Sequence, residues 1–377
     1  MGLRAVTVGY SYRPIAEAAI EQIYKGNNLT RPSIIELEAA ETLTDIIPCA
    51  DMVKFAKNGS TVTTAAIKLA RAYTGKKYIA ICEDHPFFSY DDWFIGSTNM
   101  DCGIPDEIKL LTLKFKYNHI ESLNKIFDEY KNQIAAVILE PVTLDAPVDN
   151  FLHKIKDLCK KNGAVFILDE MITGFRWHLQ GAQKYFDIIP DLATFGKGMA
   201  NGFSVAALAG KREIMDLGGI SDPNKERVFL ISTTHGAEMC GLGAFVKTIE
   251  VYKELDVVGH IWKYGDKLKN GINEISKSLG IQDYFEVKGY PCSLNYITKD
   301  INKNVSFEFR TLFSQEMINN DVLIPWIAQA YVHGGQELEI TLNAVRKSLE
   351  IYSQSLEKGI DLYLKSRPIK PVFRKYN

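Results

Sequence analysis

The sequence contains few cysteines, and no two of them lie close together. The six are Cys49, Cys82, Cys102, Cys159, Cys240 and Cys292. A disulfide framework or a structural zinc site needs cysteines at short, paired spacings. The scattered pattern argues against both, and it predicts reduced thiols in a metal-free cytoplasmic protein.

Long blocks of one charge sign and long apolar runs are also missing. The chain has 44 Lys and Arg against 46 Asp and Glu, a formal net charge of -2, which does not suit binding to a phosphate backbone or an anionic membrane. Its most apolar stretches, such as Ala135–Leu139 and Val205–Ala209, are far shorter than the roughly 20 residues of a membrane-spanning helix. The N-terminal residues lack the pattern of a secretory signal. We therefore expect neither nucleic acid nor a membrane as a partner.

Between about residues 50 and 210, the sequence alternates short apolar runs with longer amphipathic segments. This alternation is typical of strands and crossover helices in a mostly parallel sheet, so we expect an α/β fold. The candidate strands are Tyr78–Cys82, Ala135–Leu139, Ala164–Leu168, Leu192–Phe195 and Val205–Ala209. The candidate helices are Thr61–Tyr73, His119–Tyr130 and Phe151–Asn162. The last strand follows its predecessor so closely that we expect the two to be antiparallel.

The pattern changes after Lys247 to a long polar helix, Trp262–Leu279, with strands around Phe285–Tyr296 and a final helix over Leu338–Lys358. These elements predict a second, smaller α+β domain. At 377 residues the chain is long enough for two to three domains of roughly 150 residues each. We place the divisions at residues 1–45, an N-terminal segment, 46–260, the large domain, and 261–377, the small domain.

Two strand ends carry the side chains from which we expect chemistry. Asp169 and Glu170 follow the run Ala164–Leu168, and Lys197 follows the next run between two glycines. Open α/β sheets build their ligand crevice at the carboxyl ends of strands. An aspartate and a lysine there suit pyridoxal phosphate, since the lysine forms a Schiff base and the aspartate keeps the pyridine nitrogen protonated. Taken alone, Lys197 is more typical of a surface lysine, so its spacing from Asp169 carries the prediction.

A third element is the turn Lys57–Val62, which opens the first candidate helix. Its backbone N–H groups, the Ser60 hydroxyl and the positive end of the helix dipole suit a phosphate group. By itself a serine after a glycine is ordinary helix punctuation. The turn therefore supports a cofactor site only together with Asp169 and Lys197.

These residues resemble the class III pyridoxal-phosphate aminotransferases, in the subgroup of glutamate-1-semialdehyde aminomutase. The resemblance covers nearly the whole chain and rests on ordered blocks. They are Asn58–Ser60 with Ala66–Gly75, Ile138–Val142, Leu168–Arg176, Phe195–Gly198 and Ser232–Glu238. The resemblance implies fold type I, with a large cofactor-binding domain, a smaller domain, and a homodimer whose active sites lie at the subunit interface.

The resemblance also implies roles around the cofactor's reactive end. Lys197 corresponds to the Schiff-base lysine that moves protons, and Asp169 to the partner of the pyridinium nitrogen. Met171 corresponds to the apolar side chain under the ring. Phe87 corresponds to the aromatic above it, and Phe88 is the alternative.

Around the phosphate, Gly59 and Ser60 match the turn of the family. Thr234 matches a threonine that the family reaches across the dimer to the phosphate bound by the partner. Without the resemblance, Thr233 and Thr234 also fit a strand, because threonine has a high β-propensity.

The chain departs from the family pattern in three places. The turn Asn58–Thr61 lacks the usual acidic residue, and Asp145 stands where the family often carries an asparagine. The segment Met1–Gly9 resembles a stretch that lies several tens of residues after the first residue of a typical family member. We therefore expect substrate contacts to be missing or rebuilt. Glu140 is a candidate substrate residue. Arg4 is either a solvated arginine or an anchor for a substrate carboxylate or phosphate.

The sequence thus predicts an enzyme that moves an amino group between an amino acid donor and an aldehyde or ketone acceptor. An intramolecular aminomutase of the glutamate-1-semialdehyde type is the first alternative. An impaired or non-catalytic homologue that lacks part of the substrate pocket is the second. Small amino aldehydes, keto sugars and keto acids all stay open as the acceptor.

Overall fold

The computed structural model describes residues 2–85, 87–220, 222–224 and 226–376, and these divide into two compact units. The large unit comprises residues 4–6 and 10–256. The small unit comprises the described residues of the ranges 1–3, 7–9 and 257–377. The divisions that we placed after residues 45 and 260 stay a prediction.

The strands and helices of the described residues follow in chain order. The strands are β1 (Met52–Ala56), β2 (Tyr78–Cys82), β3 (Thr112–Phe115), β4 (Ile134–Leu139), β5 (Val165–Asp169), β6 (Leu192–Phe195), β7 (Ala206–Gly210), β8 (Phe285–Lys288) and β9 (Asn295–Thr298). The helices are α1 (Arg13–Tyr24), α2 (Ile34–Ile46), α3 (Gly59–Thr74), α4 (Asp92–Ile95), α5 (Asp106–Lys109), α6 (Ile120–Glu129), α7 (Phe151–Lys161), α8 (Ala182–Tyr185), α9 (Arg212–Met215), α10 (Met239–Glu254), α11 (Val257–Ser278), α12 (Phe307–Asn319) and α13 (Gly335–Lys358).

The large unit is built on a seven-stranded sheet in the order β1-β7-β6-β5-β4-β2-β3. Strands β6, β5, β4, β2 and β3 run parallel to one another, whereas β7 is antiparallel to both β6 and β1. This arrangement confirms the predicted α/β class, the mostly parallel sheet and the antiparallel fifth candidate strand.

Helices cover the sheet, which explains why its central strands are continuous apolar runs. Every residue of β4, β5 and β6 is buried. Helices α6 and α7 pack against the side chains of alternate residues such as Val137 and Leu139. Helix α3 packs across β4 to β7. It starts at the Asn58 cap and ends at Gly75, whose φ of 67° suits glycine.

The prediction missed two strands, β1 and β3, which form the two edges of the sheet. Each carries an exposed lysine, Lys54 in β1 and Lys114 in β3. Edge strands are half solvated, and lysine on them discourages pairing with other chains. They therefore lack the unbroken apolar run by which we recognised the central strands.

The small unit packs α11, α12 and α13 with the antiparallel pair β8-β9, as expected of an α+β domain. Its core is rich in aromatic rings, among them Phe285, Tyr296 and Tyr352. The Tyr352 hydroxyl lies within this core and donates a hydrogen bond to the Lys299 carbonyl at 2.7 Å. A buried phenol is thus satisfied, as a stable core requires.

Gly265, in α11, is expected to tolerate no side chain. A Cβ at this position would lie 1.9 Å from the Pro291 carbonyl oxygen and 2.6 Å from Gln329 Nε2. Alanine usually stabilises a helix relative to glycine, but this clash with backbone outweighs that gain. We expect Gly265→Ala to lower the free energy of unfolding by about 2 kcal/mol, measured by urea denaturation.

The matched control is Gly335→Ala at the start of α13, where a Cβ would meet no atom within 4 Å. We expect that variant to be neutral or slightly stabilised. Equal effects of the two substitutions would contradict the packing of α11 described here.

Candidate active site

Four adjacent strands of the sheet each deliver a polar side chain at the carboxyl end. Asp169 ends β5, Glu140 directly follows β4, Lys197 lies two residues beyond β6, and His85 lies three residues beyond β2. Because β6, β5, β4 and β2 are neighbours and parallel, these positions share one edge of the sheet. This edge is where open α/β sheets bind ligands.

Asp169 is buried, with 2% of its surface exposed. Its Oδ1 accepts hydrogen bonds from the Met171 backbone N–H and the Thr194 hydroxyl, both at 3.0 Å. Burial raises the pKa of Asp169 to about 6, although the Met171 N–H, the Lys197 charge and the Thr194 hydroxyl act in the opposite direction. No described residue donates to Oδ2, so that oxygen is available to a ligand.

Lys197 starts a 3-10 turn directly after Gly196. Its φ of 43° lies in the left-handed region, an uncommon conformation for a residue with a side chain. Tyr252 stabilises the turn, because its hydroxyl donates a hydrogen bond to the Gly198 carbonyl at 2.7 Å. Within the described part of the chain, nothing forms a hydrogen bond or ion pair with the Lys197 ammonium. A strained lysine without a fixed partner is a candidate for chemistry.

Glu140 is 6% exposed, and no described residue forms a hydrogen bond with its carboxyl group. Burial raises its pKa to about 8, and the nearby Asp169 adds to this effect. The positive charges of Lys197 and Arg4 lower it. The structure therefore brings together four residues singled out in the sequence: Arg4, Glu140, Asp169 and Lys197.

His85 also belongs to this edge of the sheet, but the sequence analysis did not find it. Its Nδ1 accepts a hydrogen bond from the Glu140 backbone N–H at 3.0 Å. Burial lowers its pKa to about 4, so the ring is neutral at ordinary pH. A histidine shortly after a buried strand was the available signal. Only the strand order shows that it stands beside Glu140.

Glu170, the neighbour of Asp169, points away from this chemistry into a hydrogen-bonded loop. Its carboxylate accepts from the Thr173 hydroxyl, the Ala182 N–H, and both the backbone and side-chain nitrogens of Gln183, at 2.5–3.1 Å. Four donors occupy the carboxylate. Glu170 therefore holds the loop after β5 in place and has a structural role.

The turn before α3 is shaped by Asn58, whose Oδ1 accepts from both the backbone N–H and the hydroxyl of Thr61. Asn58 thus caps the helix through Thr61, the residue that stands where the family usually has an acidic one. Ser60 is buried, and its Oγ accepts from the Tyr90 N–H at 3.1 Å, which leaves the hydroxyl hydrogen free to be donated.

Met171 packs between two glycines of this region. A Cβ on Gly59 would lie 3.0 Å from Met171 Sδ, and one on Gly196 would lie 2.7 Å from it. Side chains at either glycine would displace Met171. The prediction that the Met171 side chain lies beneath the ring of the cofactor is compatible with this packing, and it stays a prediction.

The two candidate aromatic residues differ in exposure. Phe88 is 2% exposed and packs its ring against His85 and Phe94. Phe87 is 47% exposed and meets Phe94 edge to face, with ring centroids 5.7 Å apart. Phe88 is therefore a core residue, whereas the ring of Phe87 is about half exposed, and its role above a ligand stays a prediction.

Thr234 lies in an exposed turn beside a groove of about 180 Å³ in the large unit. Thr233 lines the same groove, opposite the segment Asn28–Ser33. Asp145 is exposed on the loop between β4 and α7. The strand role considered for Thr233 and Thr234 is wrong, because both lie outside the strands of the sheet.

Comparison with known proteins identifies the family. The model of the family described as aminotransferase class-III matches residues 1–324. The chain belongs to this family. It is 34% identical over 295 residues to glutamate-1-semialdehyde 2,1-aminomutase 2 of Lachnoclostridium phytofermentans, which covers 75% of this chain and 68% of that protein. It is 31% identical over 355 residues to 3-aminobutyryl-CoA aminotransferase of Cloacimonas acidaminovorans, covering 91% and 82%.

Solved structures agree with this class III aminotransferase in fold. The FumI protein of Sphingopyxis sp. MTA144 matches with a TM-score of 0.84 and 23% identity, over 93% of this chain and 83% of that one. A structure described as a transaminase with PLP bound matches with a TM-score of 0.85 and 20% identity, over 94% and 86%. The predicted fold of pyridoxal-phosphate transferases is thereby confirmed.

The cofactor of this class III aminotransferase is pyridoxal 5'-phosphate. The donor set fits it. Asp169 Oδ2 is a free acceptor for a ring nitrogen, the Lys197 ammonium is free to react, and Gly59 and Ser60 open a helix whose N-terminus attracts phosphate. When bound, the cofactor supplies a carbonyl group and an electron-accepting ring that stabilises negative charge on the substrate carbon.

Among the described residues, none of the helices is both long enough and apolar enough to span a membrane. Groups of three or more metal-ligating side chains that could hold an ion were not found among the same residues.

We expect the stability of the cofactor-free protein to fall as the pH rises. The folded-state pKa values of Asp169, about 6, and Glu140, about 8, exceed the values near 4 of carboxyl groups in an unfolded chain. This stabilisation is complete below the unfolded pKa and is lost as pH rises through 6 and then 8. Urea denaturation between pH 5 and 8.5 should show a slope of up to about 1.4 kcal/mol per pH unit for each group.

Glu140→Gln is the matched variant, because an amide of the same shape does not titrate. We expect its profile to lack the fall between about pH 6 and 8 that Glu140 causes in the parent. Parallel profiles for variant and parent would show that Glu140 titrates like an exposed glutamate.

Proposed function

We propose that this enzyme moves an amino group from an amino acid donor to an aldehyde or ketone acceptor through Lys197. The observation that carries the proposal is the unpartnered Lys197 ammonium at the same sheet edge as Asp169 and Glu140. Its relatives bear the names of an aminotransferase and of aminomutases, which supports amino-group transfer as the chemistry.

The residues of the chain divide this work among them. Lys197 Nζ would anchor the cofactor and, once the donor amine releases it, take the proton from the α-carbon of the donor. Asp169 Oδ2 would hold a proton on the ring nitrogen, where the low-dielectric surroundings strengthen the contact. Gly59 and Ser60 would hold the phosphate with backbone N–H groups and the Ser60 hydroxyl. Phe87 would cover the ring opposite Met171.

Arg4 and Glu140 are the proposed substrate residues. The positive charge of Arg4 lowers the pKa of Glu140, and the charges of Asp169 and Lys197 act on the same carboxyl group. A guanidinium group suits a carboxylate or phosphate of the substrate. A protonated Glu140, with its pKa of about 8, suits an acceptor oxygen. Of the two roles considered for Arg4, we therefore propose the anchor.

We further propose a homodimer in which Thr234 reaches the phosphate bound by the partner. Helices α1 and α2 support an interface near this turn, because they expose large apolar side chains. These are Ile20, Ile23, Tyr24, Ile34 and Leu37. Apolar surface of this kind is typical of subunit contacts.

A cytoplasmic location is proposed as well, supported by the lack of paired cysteines.

The decisive experiment locates the attachment of the cofactor. We expect borohydride reduction of the cofactor-saturated protein, followed by peptide mapping, to find the cofactor on Lys197. Attachment to another lysine, or none at saturation, contradicts the proposal and favours an impaired homologue. Formation of product from a single amino aldehyde, without a second substrate, would instead identify an aminomutase.

Asp169→Asn is expected to bind the cofactor but to lose most of its turnover. A neutral amide cannot hold the proton on the ring nitrogen, so the ring becomes a poor electron acceptor. We expect kcat to fall by at least a hundred-fold, corresponding to about 2.7 kcal/mol, while the cofactor Kd changes far less. Near-normal turnover would assign Asp169 a structural role.

Thr234→Val is expected to weaken cofactor binding across the dimer. A hydrogen bond to a charged phosphate contributes about 1.5–3 kcal/mol, so its loss should raise the cofactor Kd roughly ten- to a hundred-fold. Mixed dimers of Lys197→Ala and Thr234→Val chains contain one site with neither defect, and that site should regain activity. Thr233→Val is the matched control for Thr234→Val, because Thr233 lines the same groove but is not proposed to bind the phosphate. A monomer in sedimentation, or no regained activity after exchange, contradicts the sharing of sites.

A further inference from the structure

An ion pair connects the phosphate turn with the turn that bears Thr233 and Thr234. Lys57 Nζ lies 2.5 Å from Glu238 Oε2, and the two side chains are 24% and 25% exposed. Lys57 directly precedes the turn Asn58–Ser60, and Glu238 follows the threonine turn by four residues. The pair thus links two elements that are 181 residues apart in the chain.

Glu238 is fastened on its other side by Asn27. The Asn27 side-chain amide donates to Glu238 Oε1 at 3.0 Å, while its Oδ1 and backbone carbonyl accept from the N–H groups of Cys240 and Met239. Asn27 also precedes the segment Asn28–Ser33, which lines the groove together with Thr233 and Thr234. Both carboxylate oxygens of Glu238 are therefore used, one by Lys57 and one by Asn27.

Lys57 is likewise held by two hydrogen bonds. Its carbonyl accepts a hydrogen bond from the Ser204 hydroxyl at 2.5 Å, and its ammonium is occupied by Glu238. The hydrogen bond from Lys57 is the largest cause of a lowered pKa for Glu238, so the Glu238 carboxylate is ionised at neutral pH. A cation committed to Glu238 in this way is not free to bind phosphate.

We propose that the Lys57–Glu238 pair positions two phosphate-binding elements at once, the turn Asn58–Ser60 for its own site and the turn that bears Thr234 for the site of the partner. The inference rests on the proposed function, because it requires a dimer with shared sites. Both residues are positioning residues, since neither is expected to touch the phosphate. Loss of the pair should then weaken cofactor binding in both sites.

Heterodimers with separate tags on the two chains test the inference. One chain carries Lys197→Ala, so only the other can form the lysine-linked cofactor, whose absorbance reports the Kd of a single site. Glu238→Gln is placed in one preparation on the chain with Lys197, and in a second preparation on the chain without it. We expect the Kd to rise about ten-fold in each preparation, because removing one partner leaves a partly buried charge unpaired.

Each other result overturns the inference. If Lys57 bound the phosphate itself, Glu238→Gln would tighten binding on the chain with Lys197 and change nothing on the chain without it. An unchanged Kd in the second preparation would show that the pair serves only its own site. Failure of Lys197 to carry the cofactor is a separate result, which contradicts the proposed function instead.

Two controls separate positioning from a general loss of stability. Lys57→Arg keeps the charge and should keep the cofactor Kd within about two-fold, whereas Lys57→Met should raise it as Glu238→Gln does. Asp283→Asn removes a more exposed ion pair to Lys303, 2.7 Å long, in the small unit. We expect that variant to leave the Kd unchanged, and a rise as large as that of Glu238→Gln would overturn the inference.

Discussion

The arrangement of the site depends on one constraint: several ionisable groups are buried together at the carboxyl edge of a parallel sheet. Asp169 and Glu140 repel each other there, and Lys197 attracts both. A charge in such surroundings is costly unless it has a partner. The cofactor-free protein meets this constraint by raising the pKa of the two carboxyl groups. In the protein with cofactor bound, the positively charged ring and the lysine joined to it would instead supply charge partners for these carboxyl groups.

The backbone around this edge of the sheet fixes the surroundings of Asp169. Gly59 and Gly196 leave Met171 the room it needs, and Glu170 uses all its hydrogen-bonding capacity on the loop that follows β5. Asp169 is thus held between a fixed loop and a fixed strand. Preorganisation of this kind lets a carboxylate act on a ligand without first rearranging.

The sequence predicted the central strands, the helices α3, α6 and α7, and the small unit because each carries a continuous apolar run or a clear helical period. It missed β1 and β3, since edge strands are half solvated and their lysines interrupt the run. His85 was missed for a different reason. His85 lies beside Glu140 only because β2 and β4 are adjacent in the sheet, and no local sequence pattern predicts that adjacency.

For this protein the sequence by itself determined the class of chemistry, because a lysine and an aspartate at strand ends, with a glycine turn before a helix, are local features. Only the tertiary structure decided how those groups interact. It buried Glu140 where the charges of Asp169 and Arg4 act on it, separated the core ring of Phe88 from the exposed ring of Phe87, and joined Lys57 to Glu238. The physical reason is that burial, pKa and ion pairing depend on which distant segments pack together, and a linear pattern does not encode that packing locally.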